Sequence, residues 1–253
     1  MPAHATEAVV LHAFDYLESS RIIKLLTRDL GLRSVLARGA RRSAKRFGAA
    51  LDLFVQGTAE LEVKPGRDLD TLTGFDLAHT RASIGQDLAR FAGASALAEL
   101  ILRFAQSDTD EGLFDVTVEA LDIVARADGT FARDASIAGA WRILAALGFE
   151  PSLDQCSDCQ RDIGDDESAL FSHSSGGVVC EQCAANARSG RRLPAAARVA
   201  LRNWLIGEEI APLTDAEAKA HQRLLREFVH EHLSDGRPLK AFDAWETGAW
   251  SAA

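Results

Sequence analysis

Two Cys-x-x-Cys pairs, Cys156 with Cys159 and Cys180 with Cys183, constrain this chain more than any other feature. Twenty residues separate the pairs, and the sequence holds no other cysteine. Each pair brings two thiols close enough to share one ion, and two pairs complete the tetrahedral S4 shell that structural zinc prefers. Sulfur at all four corners leaves no position for a reactive water. The spacing therefore predicts one structural Zn2+ per chain, not a catalytic centre. Free thiols or two short disulfides are the readings this spacing disfavours. His173, inside the intervening loop, is expected at the surface and outside the ligand set. The segment is acidic and glycine-rich, with Asp162, Asp165, Asp166 and Glu167 ahead of Gly176-Gly177. It is too short for a core of its own, so a metal is expected to organise it.

At 253 residues the chain is long for one domain, and two or three are expected. No apolar run reaches membrane-spanning length. The N-terminus lacks the basic start and apolar stretch of a secretory signal. With reduced cysteines, this predicts a cytoplasmic protein with no membrane partner. The net charge of −9 argues, taken alone, against nucleic acid. Its distribution reverses that impression. Between Arg21 and Arg46 stand Arg21, Lys24, Arg28, Arg33, Arg38, Arg41, Arg42, Lys45 and Arg46 against one acid, Asp29. That segment carries +8 and the remainder −17. Segregation of this kind suggests one face built for a polyanion.

Hydrophobic periodicity divides the chain. Ala8–Leu11, Arg21–Thr27, Leu32–Ala37, Thr58–Val63 and Leu69–Thr73 read as about five short strands, with Ala59, Leu61 and Val63 on one face. That is the count of a small closed barrel, of which the OB-fold is the common nucleic-acid-binding form. From Arg81 the period becomes 3.6. Ile84, Leu88, Phe91, Leu97, Ile101 and Phe104 form one stripe; Leu113, Val116, Ala120 and Ile123 a second; Ile137, Trp141 and Leu144 a third. After the cysteine segment, helices resume at Pro194 with Val199, Leu201, Trp204 and Leu205. Thr214-Asp215-Ala216-Glu217 matches a capping box, and the helix it starts carries His221, Leu224, Leu225 and Phe228. The predicted class is α+β and multidomain: an OB-fold barrel over 1–80, a helical domain over 81–150 and 191–240, a zinc knuckle embedded over 151–190, and a flexible tail over 241–253.

The segment Gly39-Ala40-Arg41-Arg42-Ser43-Ala44-Lys45-Arg46-Phe47-Gly48 sets four cations and an aromatic between glycines directly after a strand. Cations on such a loop can reach successive phosphates, each contact releasing a counterion. Phe47 could stack on a base, but a plug in the barrel floor is the expected role, since most phenylalanines are buried. Enzymatic signatures are missing. The chain has no phosphate-binding Gly-x-x-x-x-Gly-Lys-[Ser/Thr] loop and no Gly-x-Ser-x-Gly elbow. His230-Glu231 opens like a zinc-protease motif, but Ser234 stands where the second histidine would be. The pairs Asp68/Asp70 and Asp165/Asp166 are expected to be solvated, and His221 to be a partly buried structural histidine. No enzymatic activity is predicted.

Several stretches, in order, resemble the bacterial RecO family of DNA-repair proteins. They are Asp15–Arg28, the Gly39–Gly48 segment, Leu51-Asp52-Leu53-Phe54, Leu69–Thr73, and Gly176-Gly177-Val178-Val179-Cys180 with its three fellow cysteines. The resemblance runs from about residue 7 to Lys240. It implies an N-terminal OB-fold, a helical domain and an embedded zinc knuckle. It also implies action in the RecF recombination pathway, in association with the nucleoid. Such proteins bind single- and double-stranded DNA, anneal complementary strands, and help load RecA onto DNA covered by single-strand-binding protein, with RecR as partner. On this reading Arg33, Arg38, Arg41, Arg42, Lys45 and Arg46 contact DNA. The helical domain would meet the acidic tail of single-strand-binding protein, with Arg103, Arg133 and Arg142 candidates by charge alone. Two rival classes are a non-catalytic adaptor whose basic loop binds an acidic protein, and a metal-dependent nuclease using the acidic pairs.

Overall fold

The computed structural model describes residues 4–40, 47, 51–63, 66, 68–105, 111–186, 190–232 and 237–248. Five strands come first: β1 (His4–Tyr16), β2 (Ser20–Thr27), β3 (Gly31–Ala37), β4 (Gln56–Glu62) and β5 (Asp70–His79). They close a barrel in the order β1-β2-β3-β5-β4, with β1 also paired to β4. Every pairing is antiparallel except β3 with β5, where Val35 faces Asp70 and Ala37 faces Leu72. This is the OB-fold arrangement that the strand count anticipates. Alternation explains its core: Ala8, Val10, Ile23, Leu25, Val35, Ala37, Ala59, Leu61 and Leu72 point inward and are buried together. Phe47, Leu51 and Val55, from the connection between β3 and β4, fill the barrel with them, so Phe47 is a core residue.

Helices follow: α1 (Leu88–Phe104), α2 (Glu111–Arg126), α3 (Gly129–Ala146), α4 (Glu181–Ala184), α5 (Ala195–Leu205), α6 (Asp215–His232) and α7 (Lys240–Thr247). The expected stripe at the start of α1 is misplaced, since Leu88 and Phe91 are exposed while Ala92, Ala96, Leu97, Leu100 and Ile101 are buried. Small residues let helices approach closely here. A Cβ on Gly93 would stand 1.9 Å from Ser136 Oγ of α3. Helix α3 is central; Trp141 is fully buried, with ring centroids 6.1 Å from Phe171 and 5.1 Å from Phe228. The capping box forms as read: Thr214 N–H donates to Glu217 Oε2 at 2.8 Å and Glu217 N–H to Thr214 Oγ1 at 3.3 Å.

Two expectations about organisation are corrected. Of the tail expected over 241–253, residues 241–247 are not flexible but belong to helix α7, packed on α1 through buried Leu239, Phe242 and Trp245, and residues 249–253 lie outside the described residues. Its first turn is held where Phe242 N–H donates to Glu99 Oε2 at 2.9 Å. An eight-residue helix anchored to a residue 143 positions away leaves little local periodicity to read. The cysteine segment is likewise no separate module. Strands β6 (Ala169–Ser172), β7 (Gly177–Val179) and β8 (Arg191–Leu193) form one sheet in the order β7-β6-β8, crossing the expected boundary at 190. Their apolar faces, with Leu153 and Ile163, join the core built on α3 and α6.

Barrel and helices share that larger core as well. Val9, Leu11, Leu26 and Phe54 turn outward from the barrel into it. Arg81 closes the seam, donating to Asp122 of α2 at 2.6 Å and to the Phe54 carbonyl at 2.9 Å. No helix among the described residues is long and apolar enough to cross a membrane.

Candidate metal centre and nucleic-acid interface

Cys156 and Cys159 lie on the turn that enters the small sheet. Cys180 follows β7 and caps α4, which carries Cys183. The turn is tight: Gln160 N–H donates to the Cys156 carbonyl at 2.8 Å, with Gln160 at φ +62°. Gly177 is required where β7 crosses Ser152, since a Cβ there would stand 2.3 Å from the Ser152 carbonyl oxygen. All four sulfurs lie within 4.8 Å of one another. Cys159 and Cys180 Sγ are 3.8 Å apart, far beyond a disulfide bond of about 2.05 Å. A regular tetrahedron with Zn–S of about 2.3 Å has an S···S edge of about 3.8 Å, so the residues fit a tetrathiolate metal site.

The thiols are prepared for it. Burial opposes ionisation of Cys156, but N–H groups of Cys180, Cys159 and Asp158 converge on its sulfur and bring its pKa down to about 6. The Cys180 N–H is 3.3 Å from that sulfur. Hydrogen bonds to Cys159 and Cys180 favour the protonated thiol of Cys183 and push its pKa up to about 12, a preference that a coordinated divalent cation would reverse by binding the thiolate. Two arginines one turn apart on α5 hold the lobe. Arg198, fully enclosed, donates to the carbonyls of Leu153 (2.9 Å) and Gly164. Arg202 binds Asp154 at 3.0 Å and Asp165 at 2.8 Å. Sequence reading missed both, although their i, i+4 spacing beside an acidic segment was a usable signal. His173 is buried, not at the surface; its Nε2 lies 3.1 Å from Glu227 Oε2, and it stands outside the cysteine cluster. Burial lowers its pKa despite that carboxylate.

The basic segment is less uniform than its charge count. Arg28 is spent on the seam, bound to Glu7 and to Asp115 at 2.9 Å, its guanidinium 4.6 Å above the Phe114 ring. Arg21 pairs with Asp15 at 3.5 Å. Arg33 lies 3.3 Å from Asp70, whose side chain is 4% exposed. That overturns the expectation of a solvated pair for Asp70, which occupies an inward register on β5 beside the Arg33 guanidinium, whereas Asp68 is exposed as expected. Arg38 is exposed just past the end of β3. Arg41, Arg42, Lys45 and Arg46 lie outside the described residues. The candidates for an acidic partner are engaged: Arg133 with Asp134 and Asp215, Arg142 with Glu119, Arg103 with the Arg237 carbonyl.

An OB-type barrel followed by a helical body, with a four-cysteine cluster able to hold a metal ion set into that body, defines a protein of mixed OB and helical architecture. Comparison with known proteins names the group. The family model described as "Recombination protein O N terminal" matches residues 1–81, and "Recombination protein O C terminal" matches residues 85–241. A DNA repair protein RecO from Anaeromyxobacter sp. (strain K) is 34% identical over 242 residues, 92% of each chain. One from Gloeobacter violaceus is 33% identical over 231 residues, covering 88% of this chain and 85% of that one. One from Rhodopirellula baltica is 36% identical over 178 residues, 70% and 65%. The chain belongs to the RecO family of DNA-repair proteins, which supports a role in DNA repair and recombination.

Proposed function

We propose that the protein is a non-catalytic recombination mediator of the RecF pathway. It binds single- and double-stranded DNA through the barrel and anneals complementary strands without ATP. With RecR, it helps load RecA onto single strands coated by single-strand-binding protein. The observation that carries this reading is a barrel of OB strand order whose β3 leads directly into the Arg38–Arg46 cations, in a chain of family members named for DNA repair. Phosphate neutralisation by Arg38, Arg41, Arg42, Lys45 and Arg46 lets two like-charged strands approach, and base pairing then supplies the driving force. Arg33 takes a smaller share, because Asp70 offsets its charge. The ion of the cysteine cluster is zinc with a structural role, in keeping with four sulfur ligands and no open position.

The test is ATP-free annealing of two complementary labelled strands, bare and coated with single-strand-binding protein. Wild type is compared with an Arg41/Arg42/Lys45/Arg46→Ala variant. Acceleration by wild type that the variant loses is the expected result. No acceleration by wild type in either format would remove the annealing role.

A further inference from the structure

We propose that the outer face of β1 and β2 is a base-stacking platform for single-stranded nucleic acid, with Phe14 and Tyr16 as its rings. The inference rests on the DNA-binding reading above and assigns a face and residues to it. A bulge in β1 creates this face: Val10 pairs with Leu25 and His12 with Lys24, leaving Leu11 as the extra residue. Before the bulge, Val9 faces outward and is covered by the helical body, as is Leu11. After it, His12, Phe14 and Tyr16 occupy successive outward positions and are exposed among the described residues. Phe14 is 42% exposed and Tyr16, the sole tyrosine of the chain, 40%. The same strand thus buries its aliphatic outward residues and presents its aromatic ones.

The surroundings suit a nucleic acid better than a protein. Across the strand pair, Phe14 faces Ile22 and His12 faces Lys24, whose Nζ donates to Ser34 Oγ on β3 at 2.7 Å. On β3, Leu36 continues the row beside Ile22, and Arg38 follows one residue past the strand end. These outward rows of β1 beyond the bulge, β2 and β3 hold no carboxylate, in a chain of net charge −9. Asp15 belongs to the alternate row and pairs with Arg21. Flat rings flanked by cations match bases stacked beside a phosphate backbone, whose every base offers a π-face. Phe47 cannot serve, being buried in the barrel.

The experiment measures binding of labelled oligo(dT) and of an abasic deoxyribose-phosphate strand of equal length, at several salt concentrations. Phe14→Ala/Tyr16→Ala should weaken oligo(dT) binding at least about 25-fold, each stacked ring contributing about 5- to 150-fold. The salt slope should not change, and binding of the abasic strand should match wild type. Phe14→Leu/Tyr16→Leu, which keeps apolar area without a flat ring, should not rescue. Both positions are open to solvent, so circular dichroism and thermal unfolding should match wild type. Unchanged oligo(dT) binding by the alanine pair would overturn the platform while leaving DNA binding intact, and would point to a protein partner for this face. Equal losses on the abasic strand, or rescue by leucine, would also overturn it. Failure of wild type to bind either strand would remove the DNA-binding reading itself.

Discussion

Replacing Arg81 by methionine tests how the barrel is joined to the helices. The Arg81 side chain is fully enclosed, and its three donor nitrogens serve both bodies: Asp122 on α2, the Phe54 carbonyl, and Gln56 Oε1 on β4 at 3.1 Å. Burial lowers its pKa and Asp122 acts against that, but a guanidinium stays charged in either case. Methionine fills much of the stem volume and donates nothing. The buried Phe54 carbonyl is then unsatisfied, at about 1–3 kcal/mol, and a charge-assisted bond to Asp122 of about 1.5–3 kcal/mol is lost. Asp122, with a side chain 25% exposed, recovers some hydration, and the guanidinium no longer has to be desolvated. The net expectation is a destabilisation of about 2–4 kcal/mol. Urea unfolding would be followed by tryptophan fluorescence and by far-ultraviolet circular dichroism. Trp141, Trp204 and Trp245 all report on the helical body. With m of about 3 kcal/mol/M the midpoint should fall by about 1 M, and the two probes should separate as the barrel loosens first. Coincident curves shifted by less than about 0.5 kcal/mol would show that apolar packing alone holds the seam, refuting the role given to Arg81.

Three other outcomes are expected. Engagement of about four to six phosphates sets the slope of log affinity for single strands against log salt at about −3 to −4, and a flat response would remove the phosphate-contact mechanism. Zinc should be found at one per chain by elemental analysis. Chelation or Cys159→Ser should lower thermal stability before DNA affinity, whereas undiminished stability would deny the ion a structural role. Burial holds His221 at a pKa of about 4 against Trp204, with Glu217 and Asp134 too weak to offset it. Its unfolded value is about 6.5, so the unfolded chain takes up the proton first and stability falls as pH drops below about 6.5. Between pH 7.5 and 5 this residue alone should cost about 2 kcal/mol, and unfolding of His221→Leu should lack that part of the pH dependence.

Much of the architecture was legible because its signals are local. Inward alternation in Ala59 and Leu61, the 3.6-residue stripe of Ile137, Trp141 and Leu144, and the Thr214–Glu217 capping box each arise within one element. Errors began where packing partners lie elsewhere in the chain. Leu88 and Phe91 look like core residues, yet the neighbouring helix meets the alanine-rich side of α1, where Gly93 admits Ser136. The segment following Pro151 looks too small to hold a core, because the core it joins belongs to α3 and α6.

The sequence by itself determined the four-cysteine cluster, the strand-then-helix order and the concentration of cations before residue 47, since two-residue spacers, short periods and charge counts need no knowledge of distant contacts. Tertiary structure decided how far the described ones among those cations remain free for a ligand. Arg28 is claimed by Asp115, 87 positions away, and Arg33 by an aspartate on a strand that only barrel closure sets beside β3. It also decided which aromatics are buried: Phe47 inside the barrel, Phe14 and Tyr16 outside it. Exposure is a property of what packs against a side chain, and here the packing elements lie far along the chain from the residues they cover or leave bare.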